Sequence, residues 1–174
     1  MDARLHHLQG KTELVSGLLA LLQEFYADKL TSLLRHQEGS RFVGQYDVNN
    51  AYQYIVNRDE VHLSWVASAV TSSGGSLPDR VPAAHVAARN GEPASRAVLD
   101  GDARDAQAFV DRWTPRIDAM TNARHAKMLR VILGEVLEQK RLFEQALAGR
   151  TDLLGRRDDF EPSRGEVLPS RWIE

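Results

Sequence analysis

Residues 47–73 read DVNNAYQYIVNRDEVHLSWVASAVTSS, and this stretch decides the fold. Apolar side chains recur in it every three or four residues, which predicts a long amphipathic helix with one buried face. Asp47 can cap the first turn, and the glycine pair at 74–75 predicts the end of the helix. The same buried stripe carries two ionisable residues, Asp59 and His62.

Three further helices are predicted around this one. The first covers residues 12–38, the third covers residues 102–113 or starts earlier near Pro93, and the fourth runs from residue 115 or 118 to 148. Residues 74–101 contain seven glycines and prolines and form a long connection. No stretch alternates as a β-strand would. We therefore predict an all-α four-helix bundle with one long crossover between helices 2 and 3.

The chain length of 174 residues is enough for one domain with a real core. We assign residues 1–149 to the bundle and residues 150–174 to a polar, arginine-rich C-terminal tail. Two short apolar groups in that tail, at 167–169 and 172–173, are expected to dock on another surface. A solvated or partner-docking tail is favoured because its arginines alternate with acidic residues.

Composition excludes several classes of protein. The absence of cysteine excludes a disulfide scaffold, a thiolate zinc site, an iron–sulfur cluster and a cysteine nucleophile. A formal net charge of −2 argues against a nucleic-acid partner. No run of apolar residues is long enough to span a membrane, and the N-terminus lacks a secretory signal pattern. The lack of a spanning run and of a signal pattern predicts a cytoplasmic protein.

Asp59 and His62 are the sharpest functional signal. They are three residues apart and therefore share one face of their helix. Burying charge is costly unless the charge is paired or bound to a metal. Two interpretations stay open: the pair ligates a metal ion in the bundle core, or it is a neutral histidine hydrogen-bonded to a satisfied aspartate.

Other residues could complete such a site. Glu24 lies about as far before the connection between helices 1 and 2 as Asp59 and His62 lie after it. If the two helices are straight and antiparallel, the three side chains therefore lie at the same height in the bundle. On the fourth helix, counting residues from the end of the bundle that it shares with the first helix places Glu135, with Glu138, closer to that height than His125. Each of these has a plainer interpretation: Glu24, Glu135 and Glu138 as solvated carboxylates, and His125 as a core or end-of-bundle histidine.

The third helix and the remaining histidines are less informative. A carboxylate from the third helix is expected, and Asp105 lies closer to the required height than Asp111, with Asp100 and Asp102 also available. The other histidines are predicted to be exposed at helix ends or in loops. They are His6, His7, His36 and His85.

The residues 57–65 (NRDEVHLSW) with their exit at 74–78 (GGSLP), and the residues 132–138 (ILGEVLE), resemble the ferritin-like superfamily in the broad rubrerythrin-type sense. The resemblance spans residues 12–148. It implies a di-metal centre of iron or manganese with a Glu on helix 1, Glu-x-x-His on helix 2, a Glu on helix 3 and Glu-x-x-His on helix 4.

Carried over by position, the resemblance assigns the first carboxylate to Glu24 and the second-helix pair to Asp59 and His62, with Asp in place of Glu. Glu135 matches the fourth-helix carboxylate, but Glu138 stands where the family has histidine. The third-helix Glu has no clear match. The family's ligand set is therefore incomplete in this chain.

Two functions follow from these observations. The first is a di-metal (Fe or Mn) carboxylate protein that handles iron, oxygen or peroxide as an oxidoreductase. The alternative is a metal-free bundle that acts as a scaffold or interaction protein, with Asp59, His62 and Glu135 in a buried polar network. A homodimer is compatible with either. A three-histidine metal site is disfavoured because His62 and His125 lack a third histidine at a suitable height.

Overall fold

The computed structural model describes residues 2–78 and 92–155, with side chains for 17–78 and 93–155. Four helices follow one another: α1 (Asp2–Gly39), α2 (Tyr46–Ser72), α3 (Glu92–Asp118) and α4 (Ala123–Leu147), with a 3-10 turn at Ser40–Phe42. The described ranges contain helices, turns and loops but no strand. The predicted all-α four-helix bundle is confirmed.

Contacts between helices define the direction of each. Lys29 of α1 bonds Asp59 of α2, and Gln23, earlier on α1, bonds Ser76, just after α2. Helices α1 and α2 are therefore antiparallel. The α1–α3 pair is antiparallel as well, because Arg35 bonds Asp102 while Glu24, earlier on α1, bonds Arg116, later on α3. Helices α2 and α3 therefore run parallel, which requires the predicted crossover between them. Residues 79–91 of that connection lie outside the described part of the chain.

Two predicted helix ends are confirmed, and their geometry explains them. Gly74 has φ 80° and Gly149 has φ 84°, a left-handed conformation that glycine adopts without strain. In both turns the amide after this glycine donates to the carbonyl five residues earlier, from Gly75 to Val70 and from Arg150 to Gln145. This pattern is the Schellman motif, which satisfies the last carbonyls of a helix.

The third helix is longer than its main predicted range. It begins at Glu92, next to the alternative start near Pro93, and it continues through Thr114 and Pro115 to Asp118. The fully buried Trp113 and Ile117 hold the final turns against the core, so packing outweighs the hydrogen bond that Pro115 cannot donate. The fourth helix consequently starts only at Ala123, capped by the side chain of Asn122.

The apolar core is divided into two main clusters by a layer of polar side chains. One cluster surrounds Phe25 and Trp113, and the other surrounds Tyr52 and Phe143. Leu153, just past α4, is 7% exposed and joins the second cluster. The first residues of the predicted tail therefore pack on the bundle, and residues 156–174 lie outside the described part of the chain.

A polar layer in the core as the candidate functional site

Asp59 is the centre of the polar layer. Its side chain is completely buried and accepts three hydrogen bonds. Lys29 Nζ donates to Oδ1 over 2.6 Å, Gln139 Nε2 donates to Oδ1 over 2.7 Å, and His36 Nδ1 bonds Oδ2 over 2.8 Å. These donors come from α1 and α4, so one carboxylate of α2 ties three helices together.

The charge state of Asp59 follows from these partners. Burial by itself would raise the pKa of a carboxyl group. The positive charge of Lys29 and the hydrogen bond from His36 outweigh it, and they hold the pKa of Asp59 well below its usual range. Asp59 is therefore ionised at neutral pH, and Lys29, itself 1% exposed, is its counter-ion.

His62 and Glu135 form the second half of the layer. His62 Nε2 lies 3.0 Å from Glu135 Oε2, and Arg58 binds both oxygens of the same carboxylate. The hydrogen bond from Arg58 lowers the pKa of Glu135. Burial lowers the pKa of His62, and the nearby charge of Lys29 lowers it further, although Glu135 and Asp59 act in the opposite direction. His62 is therefore a neutral imidazole that donates from Nε2 to an ionised Glu135.

The two halves approach each other without joining. His62 Nδ1 is 3.9 Å from Asp59 Oδ1, which is too long for a hydrogen bond. In this layer, His62 Nδ1 and Gln139 Oε1 are buried and have no hydrogen-bond partner among the described residues. A cavity of about 120 Å³ opens beside Gln139 between α2 and α4, lined by Arg58, Glu135 and Glu138 among others. Buried acceptors of this kind are commonly satisfied by ordered water.

The other three predicted site residues do not bond to this layer, although Glu138 lines the same cavity as Glu135 and Gln139. Glu24 bonds Arg112 and Arg116 on the α1–α3 surface, and the hydrogen bond from Arg116 is the main cause that lowers its pKa to about 2. Glu138 is exposed and pairs with Arg141. His125 lies in the first turn of α4, where burial lowers its pKa. Asp59, His62 and Glu135 are thus brought together, and Glu24, Glu138 and His125 are not.

The prediction that His36 is exposed was wrong. His36 is 3% exposed and bonds Asp59 from the last turn of α1. Lys29 and His36 are seven residues apart, and each lies on the same helical stripe as the buried Phe25 and Leu33. That spacing would have placed both on the buried face, so the signal was present in the sequence. For Gln139 the corresponding signal is its distance of three and four residues from Val136 and Phe143.

On α3 the buried carboxylate is Asp102, which is 3% exposed. It accepts a hydrogen bond of 2.5 Å from Tyr52 and one of 2.9 Å from Arg35. Burial and the charge of Asp102 together raise the pKa of Tyr52, which therefore stays protonated and donates. Asp105, the aspartate closer to the predicted height, is half-exposed and pairs with Arg35. Asp102 thus holds a structural tyrosine, and the layer receives no carboxylate from Asp105.

The donor set does not fit the di-metal centre that the resemblance implies. Both oxygens of Asp59 and both oxygens of Glu135 are engaged by side chains of the protein, and Lys29 places a cation where a metal ion would repel it. Within the described ranges no group of three or more histidine, aspartate or glutamate side chains is arranged to hold a metal ion. Nor is any described helix long and apolar enough to cross a membrane. The sequence matches no protein-family model and no curated protein.

Proposed function

We propose that this protein is a metal-free helical-bundle scaffold that acts by binding another protein chain. The observation that carries the proposal is the closure of the polar layer by the protein's own cations. Lys29 and Arg58 take the carboxylates of Asp59 and Glu135, which a metal centre would need free. A layer completed in this way supports structure rather than redox chemistry.

The polar layer has a structural use of its own. Helices held together by apolar contacts alone can shift in register relative to one another, because apolar side chains of similar volume can replace each other in a core at small cost. A single buried ion pair between two apolar clusters allows one register only, since any shift would leave Asp59 and Lys29 buried without partners. The layer therefore favours a rigid bundle with fixed surfaces, as an interaction protein needs.

The surface beside the layer supports the binding of a partner. Val61 and Trp65 on α2 and Val131 on α4 are 36%, 37% and 46% exposed. They lie within one or two helical turns of the ion pair between Arg58 and Glu135, which joins these two antiparallel helices. We refer to Val61, Trp65 and Val131 as the apolar patch. Aromatic and aliphatic residues grouped in this way are typical of the centre of a protein interface.

A second copy of the chain is the partner we propose for the apolar patch. In a dimer with a two-fold axis, the apolar patch of one copy would pack against the apolar patch of the other. Sedimentation equilibrium tests this. Val131→Asp should raise the dimer dissociation constant at least about tenfold, which corresponds to about 1.4 kcal/mol. Leu137→Asp is the matched control, because Leu137 is 42% exposed and lies elsewhere on the surface of α4. Equal association of both variants and the wild type would contradict the proposal.

The iron or manganese carboxylate protein is the second candidate, and one observation favours it. Asp59, His62 and Glu135 lie within one layer, with His62 3.0 Å from Glu135 and 3.9 Å from Asp59. In this proposal these three side chains would be the ligands of an iron or manganese ion that displaces Lys29 and Arg58. Such a centre would supply oxygen or peroxide chemistry.

Metal analysis separates the two candidates. Protein purified without chelator and its His62→Ala variant are compared by elemental analysis, and both are then titrated with Fe(II) in air. The scaffold predicts no bound iron or manganese and no catalysed oxidation in either protein. One or two metal ions per chain in the wild type, lost in the variant, would overturn it and establish the second candidate.

A further inference from the structure

The cavity of about 120 Å³ between α2 and α4 lies beside the polar layer and is open to solvent on one side. Its volume is roughly ten times the minimum that one water molecule needs, so it has room for several waters or for one small organic group. Tyr54, which is 48% exposed, lines both this cavity and an open groove of about 490 Å³ along the first half of α2. The cavity can therefore be entered from the groove.

Gln139 brings an unsatisfied hydrogen-bond acceptor to this cavity. Its side chain is 3% exposed, and Nε2 donates to the ionised Asp59 over 2.7 Å. A carboxylate without a proton only accepts hydrogen bonds, so the amide nitrogen must face Asp59 and Oε1 is the atom left over. Oε1 has no partner among the described residues. A buried acceptor in this state costs free energy, which a ligand with an N–H donor would recover.

Arg58 offers a donor to the same cavity. Its Nε and Nη2 atoms bond the two oxygens of Glu135, and no bond from the third nitrogen, Nη1, to a described residue is seen. An arginine side chain has five N–H groups and can serve a second acceptor while it keeps this pair. A ligand group that fits the cavity should therefore carry one donor and one acceptor.

The charges around the cavity are already compensated. Arg58 pairs with Glu135, and Glu138 pairs with Arg141. A charged ligand would lose its hydration without finding an unpaired counter-charge, so an uncharged group is favoured. A primary carboxamide is uncharged and holds an N–H donor and a carbonyl acceptor side by side. It has the polar groups that Gln139 and Arg58 leave unmatched.

The remaining walls are apolar. Tyr54 and Leu142 complete the lining. A concave site with aromatic and aliphatic walls and a few convergent polar groups is typical of small-molecule binding. An aromatic ring attached to the carboxamide would pack against Tyr54, on the side where the cavity meets the groove.

We propose that this cavity binds the primary carboxamide of a small aromatic molecule. The ligand's N–H group donates to Gln139 Oε1, its carbonyl oxygen accepts from Arg58, and its ring packs on Tyr54. This site goes beyond the proposed function but is close to the apolar patch, since Val61 follows Arg58 by three residues. A second copy bound at the patch could reach the mouth of the cavity, so a variant of the patch belongs in the test.

Benzamide is the probe, titrated into ¹⁵N-labelled protein and followed by NMR. We expect saturable shifts of the Gln139 side-chain amide and of the backbone amides at 54–58 and 135–142, with none at residues 104–111 of α3. The dissociation constant should be on the order of millimolar for so small a ligand. N,N-dimethylbenzamide has the same ring and carbonyl but no N–H donor. It should bind at least about tenfold more weakly, because Oε1 would stay unpaired.

Tyr54→Ser and Tyr46→Ser are matched variants. Both tyrosines are exposed, so neither substitution should unfold the bundle. Tyr54 lines the cavity, whereas Tyr46 lines the groove but not the cavity. Tyr54→Ser should weaken benzamide binding about fivefold through the lost ring contact, and Tyr46→Ser should leave it unchanged. Gln139→Met should weaken it as well, and circular dichroism checks that this variant, which also loses the bond to Asp59, is folded.

Three results would overturn the proposal. They are the absence of saturable shifts in both the wild type and Val131→Asp, equal affinity for the two amides, and equal losses in the two tyrosine variants. Val131→Asp separates this inference from the proposed dimer. If Val131→Asp weakens association but no protein binds benzamide, only the inference fails. If benzamide binds and Val131→Asp leaves association unchanged, only the dimer fails.

Discussion

Lys29 Nζ lies 2.6 Å from Asp59 Oδ1, and the two side chains are 1% and 0% exposed. This ion pair joins α1 to α2 in the middle of the bundle. His36 and Gln139 bond the same carboxylate, so Asp59 has three partners, which come from α1 and α4. Its partners are protein groups, and this fact governs both the stability of the fold and the proposed function.

Removing the lysine should be strongly destabilising. We expect Lys29→Met to lower the free energy of unfolding by about 3–5 kcal/mol, because Asp59 would be left buried without its counter-ion. Lys140→Met is the control: its partner Glu144 is half-exposed, and such surface pairs contribute at most about 1 kcal/mol. Urea unfolding measures both. A loss below about 1 kcal/mol for Lys29→Met would contradict the burial of this pair.

The double variant Lys29→Met/Asp59→Leu tests the same point from the other side. Removing both charges leaves no uncompensated ion, so we expect the double variant to be more stable than Lys29→Met alone. His36 and Gln139 would lose their acceptor, which limits the recovery. If the double variant were less stable than the single one, the cost of Lys29→Met would not come from the unpaired carboxylate.

The stability of the protein should depend on pH through His62. Its pKa in the folded state is lowered, chiefly by burial. The unfolded chain therefore binds more protons, and the stability that His62 contributes is complete above its unfolded pKa of about 6.5 and is lost as the pH falls through the folded value. A single group gives a slope of at most about 1.4 kcal/mol per pH unit. His62→Gln should reduce the slope of unfolding free energy below pH 6.5, and an unchanged slope would argue against a buried neutral imidazole.

The pKa of His62 itself should respond to its partner. Glu135 raises this pKa through its charge and its hydrogen bond, so Glu135→Gln should lower it. The imidazole resonances in an NMR titration report the change directly. Glu138→Gln is the matched control one helical turn further on, because Glu138 pairs with Arg141 and should leave His62 unaffected. A shift of equal size in both variants would indicate a general charge effect rather than the contact with Glu135.

Two glycine substitutions should have opposite effects. A Cβ at Gly39 would lie 2.9 Å from Val98 Cγ1, and the β-branched valine has little freedom to move, so Gly39→Ala should destabilise the contact between α1 and α3. Gly134, inside α4, has open space at the same position. Gly134→Ala should stabilise the protein by about 0.5–1 kcal/mol, since alanine favours a helix. Thermal unfolding compares the two, and stabilisation by Gly39→Ala would contradict the close approach.

The sequence by itself determined the helices and their order. Apolar residues repeat with the helical period, and glycines with φ near 80° end α2 and α4, so these features depend on neighbours along the chain. The end of α3 was less predictable. Pro115 is a local stop signal, and only the packing of Trp113 and Ile117 across the bundle carries the helix past it.

The polar layer, too, could be predicted from the sequence only in part. Asp59 and His62 could be recognised in the sequence because their spacing places charge on an apolar stripe. The spacing of Lys29, His36 and Gln139 also placed them on buried faces, but their contact with Asp59 could be found only in three dimensions, since they come from helices that are distant along the chain. A carboxylate on a buried stripe must be neutralised, but the hydrophobic pattern does not say whether a metal ion or a lysine neutralises it. Only the tertiary structure places Lys29 and Arg58 against the two carboxylates, because the rotation of each helix about its own axis turns these cations toward the polar layer.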